Sequence, residues 1–178
     1  MLRAAATPAV EFDWATETAR HVGTVVHREL QRIARDGVRP DPADRRVRRR
    51  WLHELAELGV PGDLRADAVE RVASAVARTL EHDRGRWLLD ARHRESATEL
   101  ALTGRLGPEI VRVVIDRTFV DAEGVRWIVD YKTSRHEGAG LEEFLDREQE
   151  RYRPQVERYA ALMRRLGYVV QNVAPVFL

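Results

Sequence analysis

Between Trp14 and about Ala34 the apolar residues Val22, Val25, Val26, Leu30 and Ile33 recur at the spacing of one helix face, and "RDGVRPDPADRR" then supplies a Gly and two Pro as breakers. The spacing predicts a first helix there. A second is expected from Pro42 to Leu58, ended by "GVPGD", where Asp63 is positioned to cap a third from Leu64 to His82. "RGRWLLD" reads as a short helix or a turn. The period then drops from 3.6 to 2 in "TELAL", "EIVRVVIDRTFV" and "VRWIVDY", the last two joined by the turn "DAEG". This is a β-hairpin with a strand before it. A long helix follows from about Leu141 to Leu166, and "GYVVQNVAPVFL" closes with a Gly stop and a β-rich tail. Helices, three strands, helix, strand is the order of an α/β or α+β fold.

Successive strand residues face opposite sides, so Val111, Val113, Ile115 and Phe119 are expected on one face of the hairpin with Val125, Trp127, Val129 and Tyr131 of the partner. Arg117 is the exception on that apolar face. The opposite face carries Asp116 and Thr118 on one strand, Asp130 and Lys132 on the other. Pairing Val120 with Arg126 places Asp116 opposite Asp130, whereas pairing Val120 with Val125 puts them on different faces. The first register is the predicted one.

Length and composition narrow the picture. The 178 residues suit one domain, a helical part over 1–90 and an α/β core over 91–178. A formal charge of +1 predicts no global pull toward nucleic acid or a membrane, so any such attraction is local. With no cysteine there is no disulfide, thiolate nucleophile, cysteine zinc site or cysteine-held iron–sulfur cluster. No stretch reaches the roughly 18 apolar residues of a membrane span, and "MLRAAATPAVEFDW" lacks a long apolar signal core, so a cytoplasmic location is expected. No Gly-x-x-x-x-Gly-Lys-Ser/Thr loop is present, so this chain carries no nucleotide-driven motor.

Two carboxylates facing each other across a strand pair repel unless a positive charge lies between them. A hard cation such as Mg²⁺ removes that conflict. Two carboxylates, a metal and a lysine suit phosphodiester hydrolysis without a protein nucleophile. An ordinary polar sheet face, with Asp130 and Lys132 as a surface ion pair, is the competing account of the same residues. His27, among apolar helical neighbours, also fits a packed core position. Gln155 and Tyr159, four apart and on one helix face, also fit a helix surface with a half-buried tyrosine. The basic run "RRVRRR", Arg45 to Arg50, fits phosphate binding, a solvated face beside Asp41 and Asp44, or a docking surface for another domain.

"VIDRTF", "IVDYKTS" and "RPQVERYA" together resemble the PD-(D/E)xK nuclease superfamily, specifically the RecB-like nuclease domain at the C-terminus of UvrD-like helicase-nucleases. "GTVVHREL" is similar to that family's Gly-x-x-x-His helix, here Gly23 and His27. The resemblance implies a restriction-endonuclease-like core, a small mixed sheet flanked by helices, with an N-terminal helical region. It implies that His27, Asp116, Asp130 and the carbonyl of Tyr131 bind Mg²⁺ or Mn²⁺, and that Lys132 acts on the attacking water. Gln155 and Tyr159 match the family's Gln-x-x-x-Tyr helix, which contacts DNA. Glu99 is the best match for the acidic residue on the strand before the hairpin, grouped with the DNA-side residues, and Glu95 is the fallback. Ile115 stands where the superfamily's name puts Pro, and Val113 at a position often Gly; neither removes a ligand. The absence of cysteine points away from the iron–sulfur-bearing branches. The implied activity is metal-dependent cleavage of single-stranded DNA, exonucleolytic rather than endonucleolytic, by a domain excised from or partnered with a UvrD-like helicase in double-strand-break repair and recombination. The alternative is an inactive nuclease-like module that binds DNA or protein.

Overall fold

The computed structural model describes residues 14–132 and 141–177. The side chain of Lys132 lies outside the described residues. Helices α1 (Trp14–Asp36), α2 (Arg45–Glu57), α3 (Arg65–Glu81) and α4 (Asp83–Leu88) precede strands β1 (Arg94–Leu106), β2 (Glu109–Val120) and β3 (Arg126–Lys132). Helix α5 (Leu141–Arg165) and strand β4 (Asn172–Phe177) follow. The sheet order is β1-β2-β3-β4. The first two pairs are antiparallel and the last is parallel, so β3 and β4 need the crossover that α5 provides. Pro175 sits on β4, an edge where a missing N–H is tolerated. The fold is a mixed α/β one of restriction-endonuclease-like form.

Asp44 caps α2, its carboxylate accepting from the amides of Arg46 at 2.6 Å and Val47 at 3.4 Å. Asp63, the expected cap of the third helix, does not take that role. It lies inside a 3₁₀ turn, Gly62–Leu64, whose Leu64 amide donates to the Pro61 carbonyl at 3.1 Å, and Leu64 precedes α3 without a side-chain cap. The short α4 fills the stretch that read as a helix or a turn.

The hairpin takes the expected register: Val120 pairs with Arg126, and the ladder continues to Arg117 opposite Val129. Asp121 closes the turn, accepting from the Val125 amide and the Trp127 indole N–H, each at 2.7 Å, and Gly124 supplies the left-handed residue (φ +83°).

The simple two-faced pattern needs correction. Phe119, Val129 and Tyr131 join the large cluster formed by α1 to α4, around Val25, Leu30, Trp51, Leu55 and Val72. Ile115, of the same parity as Phe119, instead joins Ile128, Tyr159, Ala160 and Met163 under α5. The alternation breaks around Asp116, where the described ladder to β3 has ended and where Glu99, on the neighbouring strand, takes a positive φ of 51°. Strand parity cannot register such a break.

Arg117, the charge on the apolar face, is fully buried. Its guanidinium donates to the carbonyls of Leu88 at 2.8 Å, Asp90 at 2.9 Å and Ala34 at 3.3 Å. The Leu88 and Ala34 carbonyls lie in the last turns of α4 and α1, where carbonyls lack intrahelical donors and carry negative partial charge, and Asp90 lies in the turn after α4. A core arginine here ties two helix ends to β2, one residue from Asp116. Gly104 serves α5 in a similar way: a Cβ there would meet Leu162 Cδ1 at 2.5 Å, so glycine lets the helix lie close on β1.

Candidate metal centre

Helix α1 is built amphipathic, and its Val22, Val25, Val26, Leu30 face is committed to the core. That leaves His27 and Gln31, one turn apart, directed at the strands. His27 Nε2 lies 3.4 Å from Asp116 Oδ1 and 3.9 Å from Glu99 Oε1. Ligand atoms of His27, Glu99 and Asp116 all lie within 4.8 Å of one another. The His27 ring stands edge-on to Tyr131, centroids 5.5 Å apart.

Asp116 is held from the other side as well. Its Oδ2 accepts the Tyr131 amide at 2.7 Å, at the place where a further ladder bond would otherwise form. Asp130 is 2% exposed, and its Oδ1 accepts from Gln155 Nε2 at 3.1 Å. Gln155 also donates to the Tyr159 hydroxyl. Tyr159 is itself buried in the cluster under α5. The structure thus brings together His27, Asp116, Asp130, Tyr131, Gln155 and Tyr159 around one end of the sheet.

Glu99 is displaced from the group in which the sequence reading placed it. It sits with His27 and Asp116 as a possible metal donor, whereas Gln155 and Tyr159, with which it was grouped, lie on α5 beside Asp130. The fallback Glu95 is elsewhere, in an ion pair with Arg126. Gln31 was missed by sequence reasoning: its amide donates to Glu99 Oε1 and lies 3.2 Å from His27 Nε2. Its signal was available, since a residue four after a candidate helical ligand shares its face.

Electrostatics follow from this crowding. Burial pulls the His27 imidazolium down, but the hydrogen bond to Asp116 and the charges of Asp116, Glu99 and Asp130 outweigh it and leave its pKa above the ordinary value. Burial pushes the Tyr131 phenol up, against a smaller opposing effect of Arg117, and its hydroxyl finds no hydrogen-bond partner among the described residues. The basic run on α2 is partly consumed: Arg48 pairs with Glu70, and Arg50 donates to Glu29 at 2.6 Å. Arg45, Arg46 and Arg49 remain exposed.

The donor chemistry fits a hard divalent cation: carboxylate oxygens with one imidazole, in a chain without thiolates. Among the described residues no helix is long and apolar enough to cross a membrane. The family model of the PD-(D/E)XK nuclease superfamily matches residues 2–177, nearly the whole chain. The chain belongs to that superfamily, whose members generally use divalent metals. No curated protein matches it.

Proposed function

We propose that this superfamily member is a Mg²⁺- or Mn²⁺-dependent deoxyribonuclease that hydrolyses phosphodiester bonds of single-stranded DNA. The observation that carries the reading is the convergence of His27, Glu99 and Asp116, with ligand atoms within 4.8 Å of one another. Glu99, Asp116 and Asp130 put three carboxylates around one imidazole, an arrangement that a divalent cation stabilises. His27, Asp116, Asp130 and the Tyr131 carbonyl would hold the metal, and Glu99 joins them on geometric grounds. The chemistry such a metal supplies when bound is polarisation of the scissile phosphate and acidification of water. Lys132, two residues after Asp130 on the same strand, orients the attacking water and offsets developing negative charge. Gln155 positions Asp130 and, with Tyr159, faces the DNA. We take residues 1–178 as one functional unit, because Phe119, Val129 and Tyr131 of the sheet share a core cluster with α1 to α4.

The narrower reading is exonucleolytic action beside a UvrD-like helicase domain or subunit, in double-strand-break repair and recombination. It is supported by the order of the Gly23-x-x-x-His27 helix, the Asp116–Asp130–Lys132 hairpin and the Gln155-x-x-x-Tyr159 helix, and by the absence of cysteine. The deciding experiment is Mg²⁺- or Mn²⁺-dependent cleavage of single-stranded DNA by the wild type beside Asp116→Ala, Asp130→Ala and Lys132→Ala. Strong loss in each variant is expected, and unchanged cleavage in all three would overturn the site.

A further inference from the structure

An open cleft of about 510 Å³ lies between the first half of β2 and the middle of α5, lined in part by Ile110, Arg112, Pro154, Gln155, Arg158 and Tyr159. It begins where β3 has parted from β2: the ladder between them covers only Arg117 to Val120, so among the described residues the β2 edge before Arg117 has no partner strand on that side. Gln155 joins the cleft to the metal centre, since it lines the one and donates to Asp130 in the other. Arg112 lies four residues before Asp116, roughly 13 Å along an extended strand. Arg158 lies one helical turn beyond Gln155 on α5.

The chemistry of this lining is specific. Among the described residues it offers two guanidinium groups and no acid, an Ile110 that is 70% exposed, and the rigid ring of Pro154. At its rim Glu109 lies 3.5 Å from Arg158, with the two side chains 72% and 51% exposed, and Asp130 lies behind Gln155. An exposed pair of this kind is worth under about 1 kcal/mol, so a phosphate can displace the carboxylate. Guanidinium groups bind phosphates and stack on bases, and an apolar wall supports a base without reading its sequence. The volume is in the range of small-molecule sites, roughly 300–1,000 Å³, which admits a nucleotide or two of unpaired strand.

We propose that this cleft seats the unpaired DNA strand next to the scissile phosphate, Arg112 and Arg158 holding its phosphates and Ile110 supporting a base. The proposal rests on the nuclease reading above and gives it a strand path and a reason to prefer single strands.

The test is fluorescence anisotropy of a labelled oligothymidylate in EDTA, over a salt series, with wild type, Arg112→Ala, Arg158→Ala and the double variant. The slope of log K against log salt is expected to flatten by about 0.7 for each arginine removed. Binding should weaken several-fold, with an unchanged melting temperature and with duplex DNA a poor competitor. Arg78→Ala, an exposed position on α3, which packs against α1 and α2, removes the same charge away from the cleft and should keep the wild-type slope. A double variant with wild-type slope and affinity overturns the proposal, as does a wild type that binds no oligonucleotide or prefers duplex. Mg²⁺-dependent cleavage of the same oligonucleotide is scored in parallel. Cleavage that persists while both arginines prove irrelevant removes the cleft and leaves the nuclease; binding that needs both arginines in a wild type that never cleaves does the reverse.

Discussion

Helix α1 carries a carboxylate cluster on each of two sides, and the clusters are settled in opposite ways. Toward α2, Glu29 is 3% exposed and accepts from Arg50 at 2.6 Å, Arg32 at 2.8 Å and the Trp51 indole at 2.9 Å. Glu54 beside it accepts from Arg32 at 2.6 Å, with Arg28 at 3.8 Å. Toward the sheet, Glu99, Asp116 and Asp130 gather around His27, with Gln31 and Gln155 as neutral donors. Arg32 and Arg50 pair with the first cluster, whereas the second has an imidazole at its centre and two amides beside it. A cluster bridged by arginines holds helices together; one gathered around an imidazole, with His27, Glu99 and Asp116 as donors, fits a cation from outside.

The sharpest way to break this contrast is to remove Asp116 or Asp130. Cleavage should fall by a factor on the order of 10³ or more, about 4 kcal/mol of transition-state stabilisation. At a pH above the raised pKa of His27, metal-free Asp116→Asn should nevertheless melt at or above the wild-type temperature. It relieves like-charge repulsion while its amide oxygen can still accept from Tyr131 N–H. Differential scanning calorimetry in EDTA beside a Mg²⁺ cleavage assay reads both effects. A large loss of metal-free stability in Asp116→Asn would put the site in the same structural class as the Glu29 cluster.

Glu29→Ala should behave in the opposite way. It strands the buried Trp51 N–H and unpairs Arg32 and Arg50, so a loss of about 2 kcal/mol is expected. That is less than the roughly 3–5 kcal/mol for a fully buried pair, because both arginines keep about a third of their surface in water. Urea denaturation measures it. Cleavage per folded molecule should stay at the wild-type level, since no residue of this cluster touches the metal donors.

Legibility in the sequence divides along the same line. The hairpin register was legible because burial of one strand face makes a one-residue slip costly, and Asp116 and Asp130 came with it. His27 was legible only through its motif, because its apolar helical neighbours equally fit a packed core position. The Glu29 cluster was not, because it joins residues 21 and 22 apart on two helices whose packing no single period encodes. Nor was the change of face around Asp116, which depends on the positive φ of Glu99 and on the end of the described β2–β3 ladder. Nothing in a glutamate's side chain announces a positive φ, so the approach of Glu99 to His27 and Asp116 was not legible. Arg117 was visible as an exception and became intelligible only once Ala34, Leu88 and Asp90 presented their carbonyls to it.

His27 sharpens the comparison through pH. Its folded-state pKa is raised, so in metal-free protein the imidazolium adds stability that is complete below about 6.5 and is lost as pH rises through the raised value. A metal requires the neutral ring, so binding should release a proton and weaken as pH falls. His27→Gln should abolish the proton release and lower Mn²⁺ affinity on the order of ten-fold, a carboxamide replacing a better donor. Titration calorimetry in two buffers of different ionisation enthalpy measures both. Proton release that survives in His27→Gln would remove the imidazole from the metal set.

The smallest expected effect concerns how Asp130 is aimed. Tyr159 is buried under α5, and its hydroxyl accepts from the same Gln155 amide that reaches Asp130. Tyr159→Phe keeps the ring in its cluster and removes the hydroxyl that accepts from Gln155, so stability should change by no more than about 1 kcal/mol. If the hydroxyl orients Gln155, cleavage falls about three-fold and Mn²⁺ affinity shifts with it, because the carboxylate loses part of its alignment. Gln155→Ala, which removes the donor itself, should exceed Tyr159→Phe in both readouts. Equal and additive losses in the double variant would mean that the two residues act separately on the DNA; a double variant no worse than Gln155→Ala would place the tyrosine behind the glutamine, as the hydrogen bonds run.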